Sequence, residues 1–464
     1  MPTPSQIEKA LSQVHDQSSF ISRLLVDTLD WPITDGATRI EDVSYGWTLE
    51  ELNALGLSSK LVSGQISQLR PMRDGQPWGI FLVEFNDPRI LTAGHGMNGA
   101  LRELLRGLVP SRRRRDTQAT WQAENLLFIC SSAYSSFRFA RFRAPMGRLE
   151  QVQLATFGWN ADEPARTTCE FNLPALAWPG DAVSPEDWVN DWERAFDVES
   201  VTDRFYTEYS RVFDSLQADV GRSNPQLSPS DLHTYTQLLL NRLLFLRFVE
   251  KKGWLTISGS RRYLGTMYHK VLDEGLSFHD DGLRRLFFTG LAEQQREPDD
   301  LLGHVPFLNG GLFEKTALDD QVKTIPDSAF ENIVGDSGIL YRFNFTVEES
   351  TPLDVDVAVD PEMLGKVFEE LVTGRHSSGS YYTRRPVVTF MCREALTVYL
   401  ASQTDMSDRT IAALVDHHQV VQMTDSDAAS VKAALQRVKI VDIACGSGAY
   451  LLGMLQELVA VYRA

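Results

Sequence analysis

Apolar runs with β character stand out in the first third of the chain. The run Trp78–Phe85 is apolar enough for a central strand, and a second run follows at Asn125–Cys130. Between them, the leucines of residues 101–108 recur at helical spacing. The segment Phe137–Phe142 alternates aromatic and basic residues and predicts a third strand. Strand, helix and strand in this order predict a small α/β domain over residues 1–165.

Helical periodicity dominates residues 166–350. Phe205, Tyr209 and Phe213 recur every four residues, which places three aromatic side chains on one face of a helix. The next helical stretch is rich in leucine, ends in a basic turn and is followed by Gly253, a typical stop signal. A mainly helical connecting domain is the prediction for this region.

The last pattern occupies residues 351–464 and ends in a strand, a glycine turn and a helix. Helical periodicity fills most of residues 361–436. The apolar run Val438–Asp442 then predicts a strand, and Ala449–Tyr462 predicts a helix. Doubly wound folds seat nucleotide-like ligands where a strand ends in a carboxylate and enters a helix through a glycine-rich bend. The whole chain is therefore predicted to be a multidomain α/β protein.

Composition narrows the class of protein. Hydrophobic residues make up 43% and charged residues 23% of the chain, which are ordinary globular values. The polar N-terminus has no signal-peptide pattern and no run is apolar enough for a membrane span, so we expect a cytoplasmic protein. The four cysteines form no Cys-x-x-Cys pair, which argues against a disulfide framework and a zinc site. A net charge of −17 restricts phosphate contacts to a local basic face.

The glycine turn carries the most specific motif. Residues 442–452 read DIACGSGAYLL. A bare Gly-x-Gly occurs in many turns, but the longer string resembles the S-adenosylmethionine (SAM) loop of DNA methyltransferases that modify the exocyclic amine of adenine. That family usually has Asp-Pro-Ala-Cys-Gly-Ser-Gly-Ala/Thr-Phe-Leu, and here Ile443 and Tyr450 replace its Pro and Phe.

Upstream segments resemble the same family in the expected order. Residues 379–383 (GSYYT) are similar to its Gly-x-Tyr-Tyr-Thr-Pro segment, with Arg384 in place of Pro, and residues 364–371 are similar to the helix before it. The resemblance covers roughly residues 190–464 and extends to large single-chain (type IIG) restriction–methylation enzymes and related phage-defence methylases. The segments of the helical block that carry this wider resemblance are 241–245 (NRLLF), 252–254 (KGW) and 308–313 (LNGGLF).

The resemblance implies that residues 351–464 are the N-terminal part of a Rossmann-like, SAM-dependent methyltransferase domain. Its implied cofactor-binding residues are Tyr381, Tyr382, Thr383, Asp442, Ala444, Gly446, Ser447 and Gly448. Asp442 and the glycine backbone are expected to cradle the amino and carboxylate groups of SAM, and the Tyr-Tyr-Thr segment is expected to close over its methionine part. Ordinary packing is the alternative for both tyrosines. Cys445 is expected to be a small buried filler.

The catalytic motif of this family does not occur in the sequence. That motif, Asn/Asp-Pro-Pro-Tyr/Phe, hydrogen-bonds the adenine amine and stacks on the flipped base, and it lies downstream of the SAM loop. We therefore expect the chain to be the SAM-binding portion of a site-specific DNA adenine-N6 methyltransferase of a restriction–modification or phage-defence system, inactive alone. The segment from about residue 438 is expected to be poorly stable alone, because a lone parallel strand cannot bury its faces.

Two partners are expected: double-stranded DNA, and a second polypeptide with the C-terminal methyltransferase and target-recognition parts. The alternative function is a non-catalytic module that docks on DNA or on a partner methylase or nuclease subunit. Nothing in the sequence predicts a membrane partner.

The first block also invites a nuclease hypothesis. Single-chain restriction enzymes often carry Asp…Glu-x-Lys near this end, where two acids bind Mg²⁺ and the lysine helps to position water. Glu84 lies on a suitable strand after Asp35 and Asp42, but Asn86 stands where the lysine is expected. An inactive nuclease-like or docking domain is therefore favoured, with Mg²⁺ a cofactor only if the domain is active and Glu84 the sole weak metal candidate.

Basic residues in the first block suggest a second hypothesis. The run Arg112–Arg115 fits a solvated turn, and Arg138 and Arg141 stand between phenylalanines. Arginines interleaved with aromatic residues are typical of surfaces that bind nucleic acid, so these positions form a candidate nucleic-acid face.

Overall fold

The protein is described from a computed structural model and divides into two compact units, Met1–Met363 and Leu364–Ala464. The residues described are 1–34, 36–39, 61–69, 78–87, 91, 101, 105, 125–143, 153–161, 164–260, 262–294, 300–308, 311–347, 354–359, 383, 385–418, 420, 423–443, 445 and 448–463. The architecture is mixed α/β. The proposed division into three domains stays a prediction.

A mixed β-sheet forms the centre of the first unit. Its described strands lie side by side in sequence order: β1 (Ala37–Arg39), β2 (Leu61–Leu69), β3 (Trp78–Phe85), β4 (Asn125–Ser132), β5 (Ser136–Arg143), β6 (Gln153–Asn160) and β7 (Asp354–Asp356). The pairs β3–β4 and β6–β7 are parallel, and the other pairs are antiparallel. The three strands predicted from the sequence are β3, β4 and β5, so these predictions are confirmed.

Both faces of this sheet are buried, which explains why β3 is apolar along its length. One face packs against Leu101 and Leu105, the two described residues of the predicted leucine helix. The other face meets a cluster of tryptophans, in which the Trp78 and Trp188 rings lie 4.9 Å apart. Two-sided burial removes the polar alternation that a solvent-facing strand would show.

Helices make up most of the rest of the first unit. They are α1 (Pro4–Ser12), α2 (Gln17–Ser19, continued by a π-helix at Phe20–Val26), α3 (a π-helix at Thr168–Asn172, then Leu173–Ala175), α4 (Pro185–Ala195), α5 (Val198–Ser223), α6 (Pro229–Lys251), α7 (Tyr263–Asp273), α8 (π-helices at Phe278–Leu283 and Leu286–Gly290), α9 (Ala317–Gln321), α10 (Glu331–Val334) and α11 (Ile339–Arg342). Short 3₁₀ turns lie at Gly311–Phe313 and Asp327–Phe330. None of the described helices in the chain is long and apolar enough to cross a bilayer.

The helix signals of the middle region are confirmed. Phe205, Tyr209 and Phe213 all lie on α5 and are buried. Helix α6 begins after Ser228, whose hydroxyl accepts a hydrogen bond from the Asp231 backbone N–H. Its end coincides with the predicted stop, because Gly253 has a φ of +74°, a conformation that favours glycine.

Four described helices form the second unit. They are α12 (Arg385–Gln403), α13 (Asp408–His417), α14 (Asp425–Arg437) and α15 (Ala449–Arg463). All four contribute to one hydrophobic core, which includes Leu396, Ile411, Val431 and Val461. The helical predictions for residues 385–436 and 449–462 are therefore confirmed, whereas the predicted helix at 361–371 lies outside the described residues.

The strand predicted at Val438–Asp442 is wrong. This segment runs between α14 and α15 without β pairing, and Val441 and Ile443 are 84% and 97% exposed. A strand needs a neighbour to supply its ladder hydrogen bonds, and the described residues of the second unit form none. The apolar run is thus present without the sheet that would cover it.

Candidate cofactor-binding site

The glycine turn closes directly onto the first turn of α15. Gly448 donates its backbone N–H to the carbonyl of Cys445 over 2.7 Å and has a φ of +81°. Leu452 then donates to the Gly448 carbonyl over 2.9 Å and starts the helix. Non-glycine residues are disfavoured at this φ, and this explains why the last glycine position of the motif is occupied by glycine.

Three of the residues predicted to bind SAM lie within the described ranges. Thr383 is half-buried and lies two residues before α12, whereas Asp442 is half-buried and precedes the turn that leads through Gly448 into α15. The remaining predicted residues, Tyr381, Tyr382, Ala444, Gly446 and Ser447, lie outside the described residues. Cys445 is exposed, so its prediction as a buried filler is wrong. Among the described residues of the second unit, no sheet covers this turn.

The two helices that follow the motifs pack side by side in the same direction. Val388, near the start of α12, lies against Gly453, near the start of α15, and farther along Arg393 pairs with Glu457. Both contacts advance together along the two helices, so the N-terminal ends of α12 and α15 lie on the same side. The backbone N–H groups of both first turns therefore point toward that side and favour negative charge there.

The crossing of these helices is close because residue 453 is glycine. A Cβ at this position would lie 2.4 Å from Val388 Cγ1, well inside van der Waals contact. Val388 is β-branched and has little rotamer freedom in a helix, so it cannot move aside easily. Gly453 thus sets the separation of α12 and α15.

A buried ion cluster lies about one turn farther along this helix pair. Arg393 Nε lies 3.0 Å and His418 Nε2 lies 3.2 Å from Glu457 Oε2. Arg393 also donates to the Asp416 carbonyl over 3.2 Å, which ties in the end of α13. Burial raises the pKa of Glu457, but the hydrogen bonds and charges of His418 and Arg393 outweigh it and hold this pKa below its ordinary value.

One side of α15 is apolar and exposed. The α15 apolar face consists of Leu451, Leu452, Leu455, Val459 and Tyr462, each between 39% and 57% exposed. Contiguous apolar surface of this kind marks an interaction site more often than isolated apolar residues do. With the exposed segment before the turn, it forms a surface suited to packing against further structure.

The nuclease candidate stands at the carboxyl end of β3. Glu84 is half-buried beside Ser131 of the parallel strand β4, and burial raises its pKa. Asn86 is exposed two residues on, and Asp35 and Asp42 lie outside the described residues. No group of three or more His, Cys, Asp or Glu residues in the described part of the chain could hold a metal ion.

Arg138 and Arg141 of β5 do not form a nucleic-acid face. Arg138 is 4% and Arg141 is 7% exposed, because both faces of the strand are covered. Arg138 pairs with Asp356 of β7 over 3.0 Å, and Arg141 pairs with Glu193 of α4 over 2.9 Å. Both charges are therefore balanced by carboxylates within the protein. The Arg112–Arg115 run lies outside the described residues.

The structure connects two segments of the helical block that carry the family resemblance. Arg242 of α6 donates to the carbonyls of Leu312 and Glu314 over 2.8 and 3.0 Å and forms a bidentate ion pair with Asp319. Four hydrogen bonds of this buried guanidinium go to one returning segment of chain, so Arg242 holds that segment against α6. Sequence spacing gave no signal of this contact.

Comparison with known proteins gives one distant relative. Over 263 residues the chain is 25% identical to a protein of Methanocaldococcus jannaschii with the provisional name type II restriction enzyme and methyltransferase. The aligned part is 52% of this chain and 22% of that protein, so the chain spans less than a quarter of the relative's length. No family model matches the chain, and no solved structure matches it. The similarity supports a relationship to restriction–modification enzymes.

Proposed function

We propose that the chain is the SAM-binding portion of a site-specific DNA adenine-N6 methyltransferase of a restriction–modification or phage-defence system. The observation that carries this proposal is the side-by-side packing of α12 and α15, because the two motifs that resemble SAM-binding segments lead into the N-terminal ends of these helices. Helix N-terminal ends favour the carboxylate of a ligand such as SAM.

In this proposal, each motif residue has a role suited to its chemistry. The Asp442 carboxylate holds the ammonium group of SAM, and Ala444 with the backbone of Gly446, Ser447 and Gly448 cradles its carboxylate. Tyr381, Tyr382 and Thr383 close over the methionine part from the α12 side. Glycine at 448 permits the close approach of backbone to ligand.

The rest of the enzyme is expected to complete the fold. The uncovered segment before the glycine turn and the α15 apolar face are surfaces that the remaining strands of a methyltransferase sheet would bury. A second polypeptide, or a further domain, would also supply the Asn-Pro-Pro-Tyr motif and the target-recognition part, with double-stranded DNA as substrate. The relative's greater length is in keeping with such further parts.

Calorimetry with SAM tests the binding half of this proposal. The chain is expected to bind SAM saturably, and Asp442→Ala is expected to weaken binding about tenfold or more, because a charge-assisted hydrogen bond is lost. Asp405→Ala, an exposed carboxylate of the same unit, is the matched control and should leave the affinity unchanged. Absence of SAM binding by the folded wild-type chain would falsify the proposal.

A methyl-transfer assay tests the catalytic half. The purified chain alone should transfer no tritium from labelled SAM to unmethylated DNA, because the residues that orient adenine do not occur in its sequence. Clear incorporation by the lone chain contradicts this part of the proposal and leaves the SAM site intact.

The second candidate function is a non-catalytic module that docks on a partner methylase or nuclease subunit. The α15 apolar face is the observation that favours it. It differs from the first proposal in one result: the module would bind its partner through α15 without binding SAM. Leu455→Gln should then abolish complex formation while calorimetry shows no SAM binding by either protein.

Nuclease activity is not favoured for the first unit. Asn86 removes the cation of the Glu-x-Lys pattern, and Glu84 has no described acidic cluster around it. Plasmid incubated with the chain and Mg²⁺ should stay intact. Cleavage that disappears in Glu84→Ala would instead restore the nuclease hypothesis.

A further inference from the structure

Two exposed aromatic rings lie close to a junction of two segments in the first unit. The chain that leaves α6 meets a later segment at an antiparallel bridge between Thr256 and His304, whose backbones exchange hydrogen bonds of 3.1 and 2.8 Å. Antiparallel pairing places the residues before Thr256 beside the residues after His304. Trp254 and Phe307 therefore lie at the same end of this bridge.

The backbone that carries these rings is anchored, but the rings themselves are open to solvent. Leu255 and Val305, which flank the bridge on the same side, are both buried. Trp254 is nevertheless 53% and Phe307 43% exposed. Tryptophan is highly buried on average in folded proteins, so two large exposed rings at one end of a bridge form a patch and not a pair of isolated apolar residues.

Charge distinguishes this patch from the α15 apolar face. Residues 251–272 contain five lysines and arginines and no aspartate or glutamate, in a chain whose net charge is −17. Lys251 and Arg262 of this stretch have partners within the protein. Lys252, by contrast, is exposed two residues before Trp254. The patch thus combines aromatic rings with an exposed cation in a locally basic stretch, which favours an anionic partner.

Single-stranded nucleic acid has the chemistry that matches such a patch. Its unpaired bases offer flat faces on which aromatic side chains stack whatever the sequence, and its phosphates attract nearby cations. In a paired duplex these faces are already stacked on one another. The alternating arginines and phenylalanines of β5 suggested a surface of this type, but there the arginines are buried, whereas Lys252, Trp254 and Phe307 are exposed.

We propose that Lys252, Trp254 and Phe307 form a binding site for unpaired DNA bases. The two rings stack on bases, and the Lys252 ammonium group contacts the phosphate backbone. The choice of DNA as the nucleic acid rests on the proposed function. None of the SAM motif residues takes part, so the two sites can be tested separately.

Fluorescence anisotropy of a labelled single-stranded DNA oligonucleotide of mixed sequence tests the stacking. Trp254→Ala should weaken binding by the full chain about tenfold, because the stacking of one base is lost. Trp254→Phe should retain most of the affinity, since a ring remains. Tyr462→Ala is the matched control, because Tyr462 is 57% exposed and has Lys432 Nζ 5.8 Å from its ring, and it should bind as wild type does.

The lysine and the second ring have separate signatures. Lys252→Ala should lower the slope of log affinity against log salt by about 0.7, the contribution of one phosphate contact on a single strand. Lys323→Ala, an exposed lysine near the opposite end of α6, should leave the slope unchanged. Phe307→Ala should weaken binding severalfold and leave the salt slope unchanged, because no charge is removed. Thermal unfolding of each variant establishes that it is folded.

Three results would overturn the proposal. The first is a wild-type chain that does not bind the oligonucleotide, and the second is equal binding by folded Trp254→Ala and Tyr462→Ala. The third is an equal loss in Trp254→Ala with a fully paired duplex, because stacking on unpaired bases should affect the single strand alone. Self-association through Trp254 without oligonucleotide binding, measured by analytical ultracentrifugation, would identify the patch as a protein interface instead.

Calorimetry with SAM keeps this inference apart from the proposed function. Trp254→Ala should bind SAM as the wild-type chain does. A wild-type chain that binds SAM but no oligonucleotide would refute the stacking site alone, and one that binds the oligonucleotide but not SAM would refute the proposed function alone.

Discussion

The strand β3 and the segment Val438–Ile443 are both apolar, but β3 is buried in a sheet and the later segment is largely exposed. In β3, Phe81 is fully buried in the hydrophobic core on one face of a sheet whose two faces are both covered. In the later segment, Ile443 is 97% exposed and no strand pairs with it. The difference shows that an apolar β pattern is necessary for a buried strand but does not suffice to form one. The partner surface decides whether it becomes a strand.

The largest expected effect separates these two regions directly. Phe81→Ala should destabilise the first unit by about 3–5 kcal/mol, because it leaves a cavity in a closed core. Ile443→Ala should change stability by less than about 0.5 kcal/mol, as exposed substitutions usually do. Denaturant unfolding followed by tryptophan fluorescence measures the first unit selectively, because residues 364–464 contain no tryptophan, and far-UV circular dichroism follows the effect of Ile443→Ala on the second unit. Comparable losses of stability in the two variants would show that the two apolar segments do not differ in how they are packed.

A second prediction concerns the packing that the second unit does have. Gly453→Ala should cost about 1–3 kcal/mol, because its Cβ would press against Val388. The double variant Gly453→Ala/Val388→Ala should recover part of this loss, since the opposing methyl groups are gone. Far-UV circular dichroism of helix unfolding, compared with the fluorescence transition, assigns the change to the second unit. Additive losses in the double variant would show that the two residues do not oppose each other.

Acid should affect the two units at different pH. In the first unit, burial lowers the pKa of His279 below 6.5 in spite of Asp280, so stability is full above pH 6.5 and declines as pH falls below it. In the second, the lowered pKa of Glu457 gives stability that is full above 4.5 and declines as pH falls below that value. Fluorescence and circular dichroism melts from pH 8 to 4 should therefore separate, with the first unit weakening first.

Two substitutions isolate these titrations. His279→Gln should flatten the pH dependence of the first unit as pH falls below 6.5, and Glu457→Gln should flatten that of the second unit below pH 4.5. An unchanged profile in either variant would mean that another group governs that unit's acid response.

The smallest expected effect concerns the α15 apolar face. Leu455→Gln should leave the melting temperature nearly unchanged, because the side chain is already more than half exposed. Concentration-dependent association, followed by analytical ultracentrifugation, should decrease, since apolar surface has been removed. Gln403→Ala, an exposed position near the end of α12, is the matched control and should leave association unchanged. A marked loss of stability in Leu455→Gln would show that this face is packed.

Local sequence predicted those elements whose signal is local. Continuous apolar runs predicted β3 and β4, the alternation of aromatic and basic residues predicted β5, and Gly253 predicted the end of α6. The strand β2 alternates poorly and contains Gly64, so its pattern does not indicate a strand, and β7 has only three residues. Strand β7 is recognisable only through its parallel pairing with β6 and its ion pair with Arg138.

The predictions that were wrong concern segments whose burial is decided by tertiary packing and not by local sequence. Arg138 and Arg141 alternate with phenylalanines as they would on an exposed strand, and only the helices and strand packed over them show that they are buried. In the candidate site, the sequence predicted the glycine turn and the helix after it. The parallel packing of α12 on α15 depends on Gly453 and on the Glu457 cluster, which the resemblance to the SAM motifs does not include.

The contacts of Arg242 have a consequence for how the helical region can change in length. Its guanidinium joins α6 to Leu312, 70 positions away in sequence, and so works as a non-covalent crosslink that closes the segment containing α7 and α8. The entropy of closing a loop grows only with the logarithm of its length, so doubling it costs about 0.6 kcal/mol. Insertions at an exposed turn of this segment, such as Glu274–Leu276 after α7, can therefore be accommodated as long as the arginine and its carbonyl acceptors are kept.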